Sequence, residues 1–277
     1  MATSKVGLSE KWANINSLSK LEILKRISIN VIGKVLNLIA ALDHLFAKND
    51  SMILESRVLP LDISTGDIFI YGTYNKNNQL RKEEFKIIRQ LSKLNYVLVV
   101  QNGTKIDPLI LNLSCSYILR KNIGRDIGML RDAIQILMIP NDGRNLIWMN
   151  SSCNWEFNKL KAMINSERKI PTGNVVAMTD SWRGGFHLQS FFFFVHSEYK
   201  SNFAHFFSSG SVKNWRYKRT AVQRGEKALS KFLLASNLKL AAFFPVKNYS
   251  ANQFKYVTSY LDFKFELLRD GAPFSKL

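Results

Sequence analysis

Between Arg120 and Asp132 the chain reads Arg-Lys-Asn-Ile-Gly-Arg-Asp-Ile-Gly-Met-Leu-Arg-Asp, a polar, glycine-punctuated turn between two apolar runs. Residue types of this kind suit a phosphorylated ligand. Gly124 and Gly128 admit a close backbone approach, Arg120 and Arg125 can meet phosphate, and Asp126 and Asp132 can take a hydroxyl or a metal. The competing reading of this segment alone is a loop with solvated charges. Further on, Asn145-Leu-Ile-Trp-Met149 ends in Asn150-Ser151-Ser152, and Val175-Val-Ala-Met178 ends in Thr179-Asp180-Ser181. His187-Leu-Gln-Ser190 then leads into Phe191 to Val195. Successive apolar runs that each end in polar, chemically capable residues are how an open α/β sheet builds one crevice from several strand ends.

To bring such residues together, each must sit at the same end of a sheet. Ser116 to Leu119 is apolar and β-prone, while Ile127, Leu130, Ala133, Ile134 and Leu137 recur at helical spacing. Strand, turn and helix in that order aim backbone N–H groups and the positive helix end at the strand's C-terminal edge. Ile68 to Tyr71 reads as a strand ending near Gly72-Thr73-Tyr74, Lys82 to Leu94 as a helix, and Tyr96 to Val100 as a buried strand. This alternation predicts a mostly parallel, doubly wound α/β sheet flanked by helices. Four consecutive phenylalanines from Phe191 predict a strand buried on both faces. Ahead of the sheet, Leu21, Leu24, Ile27, Val31, Val35, Leu38, Leu42 and Leu45 recur at three- and four-residue steps, predicting an amphipathic helical arm over residues 1–60. The remaining domain then runs over residues 61–277.

The phrases RKNIGRDIG with Asp132 following, MNSS, MTDS, HLQSFFFFV, RGEKALSKFLL and the closing GAPFSKL occur in the order and spacing of one family. Over about three quarters of its length the chain resembles the rhamnan synthesis protein F family of sugar transferases. The resemblance implies a GT-A-type glycosyltransferase with a donor half at about 61–155 and an acceptor half at about 156–277. Its donor would be a nucleotide-diphosphate sugar, with rhamnose suggested by the family. Its acceptor would be a cell-surface polysaccharide or a lipid-linked glycan. The chain departs from the family's usual Asn-Asp-Ser at Asn150-Ser151-Ser152. The acid at the metal position is absent, which leaves Mg or Mn dependence open and keeps alive a catalytically inactive, transferase-fold binding subunit.

On the donor side the resemblance, together with the turn, implies that Thr73, Asn102, Arg120, Asn122, Gly124, Asp126, Asp132, Asn150, Ser151 and Ser152 line the nucleotide and sugar, Asp126 bonding a donor hydroxyl. An inverting transfer needs a carboxylate that takes the proton from the acceptor hydroxyl. Glu226, in Arg224-Gly225-Glu226 before an apolar helix, is placed ahead of Asp180 for that role; as a mere helix-start acid it would favour the helix dipole. Asp180, His187 and Gln189 are assigned to the acceptor. Charge on the leaving diphosphate falls to a metal on Asp126 or Asp132, or to cations such as Lys276 in the closing phrase.

Composition narrows the classes. A hydrophobic content of 46% in 277 residues describes a folded chain. The absence of a secretory pattern at Met1 to Lys5 points to a cytoplasmic protein. Cys115 and Cys153 have neither metal-ligand nor disulfide spacing and read as buried thiols. A formal charge of +18 fits a polyanionic substrate, an anionic membrane surface or nucleic acid. A basic nucleic-acid-binding α/β protein accounts for the charge but not for the ordered strand-end motifs. The helical arm suits packing on the domain, a homo-oligomer through the N-terminal helices, or peripheral contact with the inner face of the membrane.

Overall fold

A computed structural model describes residues 20–61, 66–75, 77–182, 185–246 and 272–276. The chain divides into two units, Met1–Phe46 and Ala47–Leu277. In the first, α1 (Lys20–Phe46) is a 27-residue helix. Residues 1–19 of the expected arm lie outside the described residues. No described helix is long and apolar enough to cross a membrane.

The second unit starts earlier than the sequence pattern places it. β1 (Ile53–Arg57) joins the sheet, so residues 47–60 belong with the domain and not with the arm. The pattern misses this strand because it is held by edge contacts instead of an apolar stripe. Tyr117 donates to Glu55, and the Arg57 guanidinium lies over the Tyr117 ring at 5.1 Å.

Next come β2 (Ile68–Tyr74), α2 (Lys82–Leu91), β3 (Tyr96–Asn102), α3 (Pro108–Leu111), β4 (Ser116–Arg120), α4 (Arg125–Leu137) and β5 (Leu146–Asn150). β6 (Cys153–Trp155), α5 (Phe157–Lys169), β7 (Val175–Ser181), β8 (His187–Leu188), β9 (Phe192–Val195) and α6 (Lys200–Ser208) follow. Then α7 (Lys218–Ala221) runs through a π turn at Val222–Glu226 into α8 (Lys227–Ala235), before β10 (Leu240–Phe244) and β11 (Phe274–Lys276). The sheet order is β1-β4-β3-β2-β5-β9-β7-β10, with β8 paired to β7. β4, β3, β2 and β5 are mutually parallel. β9 is antiparallel to both β5 and β7, which returns β7 and its parallel partner β10 to the direction of β5. Strand order reverses at β2: the chain first builds outward through β3 and β4, then continues with β5 on β2's other side. That reversal is a topological switch point, where the flanking connections diverge and leave a crevice at the strands' C-terminal ends.

Both faces are covered, which is why the strands read as continuous apolar runs. Phe69, Tyr71, Val97, Val99 and Met149 pack with α2 and α5; Ile68, Ile70, Leu98, Val100 and Trp148 pack with α4, α6 and α8. β9 shows the same alternation. Phe192 and Phe194 enter the first layer and Phe193 the second, all with no exposed surface. At about 1.5–3 kcal/mol per fully buried large apolar side chain, this strand alone is a principal source of cohesion. The expected α/β architecture, parallel at its centre and flanked by helices, is present. Its C-terminal half differs in carrying the antiparallel β9 insertion. Both cysteines are buried, and burial pushes the Cys115 thiol up to about 11.

Candidate functional site

The turn after β4 is shaped by two left-handed residues, Gly124 at φ 87° and Arg125 at φ 51°. Glycine at 124 is required twice over, because a Cβ there would also stand 3.1 Å from Asn214 Oδ1 and from the Gly128 Cα. Gly124 N–H donates to the Trp215 carbonyl at 3.0 Å, which fastens the turn to the 210–217 segment.

Beneath the turn lies an ion network. Arg120 has no exposed surface and gives Nε to Asp132, Nη1 to Asn102 and Nη2 to the Ile123 carbonyl, each at 2.7 Å. Asp132, also wholly buried, takes Arg120 on Oδ2 and Arg131 on Oδ1 at 2.6 Å. Burial lowers the Arg120 pKa, and the adjacent Asp132 charge counters it. Arg131 and Asn214 continue the network to the Asp50 carbonyl. Arg120 and Asp132, expected to meet phosphate and to bind a hydroxyl or metal, are thus turned inward and saturated by protein partners. Asn102 is likewise buried, its amide donating to Asn122 Oδ1 at 3.2 Å, whereas Asn122 itself is exposed.

Across the switch point, Asn150 links the two strand ends. Its amide donates to Asp126 Oδ2 at 2.8 Å, while its Oδ1 accepts from the Ser152 hydroxyl at 2.6 Å. Ser151 N–H donates to the Gly72 carbonyl, and Ser151 Oγ accepts from Tyr74 N–H. Gly72 lets β2 pass under this junction: an added Cβ would fall 2.5 Å from Trp148 Cη2 and 2.9 Å from Met129 Cε. Thr73 points into a second buried cluster, donating to Glu84 at 2.6 Å. Arg81 binds the same Glu84, the Ser151 carbonyl and Asn154. Arg81 and Glu84 carry no signal in the sequence because helix-start charges are commonplace; only the Arg81 bond to the Ser151 carbonyl and the Glu84 bond to Thr73 distinguish them.

The second group of expected residues converges from β7, β8 and the π turn. Ser190 donates its hydroxyl to Glu226 Oε1, and His187 Nε2 lies 3.7 Å from Glu226 Oε2. His187 Nδ1 is 3.0 Å from the Gly185 carbonyl. A carbonyl only accepts, so in the neutral ring Nδ1 carries the proton and Nε2 turns a lone pair towards the carboxylate. Burial, with Lys227 adding to it, holds the His187 pKa below its ordinary value. Asp180, 5% exposed, accepts from Val246 N–H at 2.7 Å, and Gln189 accepts from Thr179. Glu226 does not start a helix, as the sequence pattern had it. Helical backbone runs from Lys218, and Glu226 closes the π turn. The dipole argument for a structural acid is therefore removed. A π turn is a costly irregularity found often at functional sites.

The two clusters meet. Gly225 packs on the side chain of Ile127, where an added Cβ would lie 3.0 Å from Cγ1, so Asp126 and Glu226 each neighbour one member of a single contact. Asn150 N–H donates to the Phe191 carbonyl, next to Ser190, and Trp148 Nε1 donates to the Ser190 carbonyl. Lys276, whose side chain lies outside the described residues, has its backbone paired opposite Cys153 and beside Ser152.

Among the described residues no three His, Cys, Asp or Glu side chains converge. Asp132 is held by two arginines, and Ser151 stands at the strand end with a hydroxyl bound to Tyr74 N–H. Among the described residues at the β4 and β5 ends, the polar groups include the Asp126 carboxylate with the Asn122 and Asn150 amides and the Ser151 and Ser152 hydroxyls.

No protein-family model matches the chain, and no curated protein sequence matches it. Among solved structures, it is similar to one from Desulfovibrio desulfuricans G20 described as a nucleotide-diphospho-sugar transferase, at 8% identity over 73% of this chain and 95% of that one, TM-score 0.34. It is also similar to the glycosyltransferase GlyE of Streptococcus pneumoniae TIGR4, at 10% identity over 74% of this chain and 51% of that one, TM-score 0.38. Similarity of that degree carries nothing about side chains or substrate.

Proposed function

We propose that the protein is a glycosyltransferase that moves a sugar from a nucleotide-diphosphate donor to a glycan or lipid-linked glycan acceptor, with inversion. The observation that supports it most is the junction at Gly225 and Ile127, through which the segment bearing Glu226 packs on the segment bearing Asp126. Asp126, fixed by Asn150, bonds a donor hydroxyl. Asn122 and the Gly124 to Asp126 backbone line the diphosphate, with Ser152 and the Lys276 strand on the opposite wall. Arg120, Asp132, Asn102 and Thr73 act as the framework that holds these groups.

Glu226 takes the proton from the attacking hydroxyl. Ser190 orients the carboxylate, and the neutral His187 presents a second acceptor 3.7 Å from it. His187, Gln189 and Asp180 form the acceptor wall. A GT-A transferase generally offsets leaving-group charge with a metal; the groups here assign that work to backbone N–H donors and cations. The rhamnosyl donor suggested by the sequence phrases is the first to test.

A second reading, an inactive binding subunit, draws on Ser151 in place of an acid. Thermal denaturation with dTDP, UDP and GDP tests both. A ligand at about 100 times its Kd stabilises by about 2.7 kcal/mol, or roughly 5–10 °C in a domain of this size. No saturable shift with any nucleotide diphosphate removes both readings. A shift accompanied by donor-dependent transfer selects the enzyme, and a shift without transfer or donor hydrolysis selects the subunit.

A further inference from the structure

Aromatic side chains are mostly hidden in this molecule. Among the described residues of the Ala47–Leu277 unit, the large aromatics in the exposed class are Tyr74 (47%), Trp182 (48%) and Tyr217 (52%). All three lie at the C-terminal edge of the sheet. Tyr74 ends β2 with its N–H on Ser151, Trp182 follows β7, and Tyr217 follows Trp215, whose carbonyl takes the Gly124 N–H. Exposed aromatic rings at the strand-end edge, where open α/β sheets take their ligands, offer apolar faces on which a ligand can stack.

Trp182 differs from the other two in its neighbours. The tyrosines flank the donor turn and Ser151, whereas Trp182 directly follows Asp180 and Ser181. Its indole is backed by Phe186, with ring centroids 5.2 Å apart and planes at 59°, and Phe186 itself packs on the second core layer. The residue after Phe186 is His187, 3.7 Å from Glu226. A ligand lying on the indole face would therefore sit on a supported surface at the end of β7, two residues from Asp180. The chemistry that fits is a pyranose ring, whose C–H face is apolar enough to stack while its equatorial hydroxyls reach lateral acceptors.

We propose that Trp182 is the platform on which the acceptor's sugar ring stacks, making it the residue that admits glycans to the Glu226 side of the crevice. This rests on the transferase reading above. The experiment is titration of the wild-type chain with methyl α-L-rhamnopyranoside and methyl β-D-glucopyranoside, and with their octyl counterparts, observed through the indole N–H resonances. Trp182→Phe assigns the Trp182 signal. The expected result is a saturable shift of that signal with at least one glycoside, and affinity about tenfold weaker in Trp182→Ala. Because the indole is half exposed, the melting temperature of Trp182→Ala should stay within a few degrees of wild type. Tighter binding of the octyl forms indicates a lipid-linked glycan, and equal binding a free one.

No response of the Trp182 signal to any glycoside, or equal affinity in Trp182→Ala, overturns the proposal. So does a shift produced by nucleotide diphosphates alone, which would move Trp182 to the donor. Nucleotide-sugar turnover on the same samples separates the two claims. Glycoside binding at Trp182 without turnover removes transfer and leaves a glycan-binding surface. Turnover with an acceptor KM unchanged in Trp182→Ala removes the platform alone.

Discussion

Replacing Asp132 by asparagine separates framework from ligand contact at the turn after β4. The native carboxylate is fully buried, accepts Arg120 on one oxygen and Arg131 on the other, and both guanidinium groups are at most 1% exposed. In the variant, two buried cations face a single neutral amide, and one of its polar atoms is now a donor aimed at donors. Removing one partner of a buried pair costs about 3–5 kcal/mol, a large part of a total stability of about 5–15 kcal/mol. At roughly 2–4 °C per kcal/mol for a domain of this size, the melting temperature should fall by about 6–20 °C. Asp126→Ala provides the contrast. That carboxylate is partly exposed and bonded to Asn150, so its loss should cost about 1 kcal/mol or less while abolishing saturable binding of the nucleotide donor. Both variants are read by urea unfolding and by nucleotide-dependent melting. An Asp132→Asn protein that melts within about 2 °C of wild type yet loses nucleotide binding would refute the framework assignment and return Asp132 to the ligand shell.

Glu226→Gln should keep nucleotide affinity and lower transfer by about two to four orders of magnitude, measured as turnover at saturating donor; near-normal turnover there, with none in Asp180→Asn, would make Asp180 the base. His187 is neutral in the fold because burial lowers its pKa, so it should protonate only below the ordinary histidine range. The new imidazolium then pairs with Glu226 and weakens it as a base, and transfer should fall as pH drops below the ordinary histidine range, a limb absent from the pH profile of His187→Gln. The sign for stability is the same: the unfolded chain takes up this proton at higher pH than the folded one, so acidification below the ordinary value destabilises. Gly72→Ala should destabilise by about 1–3 kcal/mol in chemical denaturation, since Trp148 and Met129 must move to admit the methyl. At Asp142 burial pushes the carboxyl up, but hydrogen bonds from Arg144 and Lys200 outweigh it and bring the pKa down to about 2. Its stabilisation is present above the unfolded value near 4 and lost as pH falls through about 2, so Asp142→Asn should flatten the acid limb of a pH-melting curve.

Local pattern was enough for the strands that bury both faces and for the helix after Gly124, since a side chain's apolar character reports directly on the layer it enters. It was also enough to gather the polar strand ends into one edge, because parallel strands share a direction. It failed at β1, whose stabilising contacts are a hydroxyl on Glu55 and a guanidinium over Tyr117, and at β9, whose apolar run carries no mark of its antiparallel direction. Glu226 was singled out by its helix-like context, yet the π turn that sets it against Ser190 and His187 depends on contacts with distant segments.

By itself, then, the chain's sequence determined the α/β alternation, the layers and the set of polar residues available at the strand ends. Those follow from periodicity and backbone chemistry, which act over a few residues. Only the tertiary structure decided which of those residues face outward. Arg120 and Asp126 lie in the same turn and carry equally suitable groups for a phosphorylated sugar. One is consumed by Asp132, Asn102 and the Ile123 carbonyl, while the other reaches Asn150 across the crevice. A charge's role depends on how far it is desolvated and which partners surround it, and both are set by residues far away along the chain.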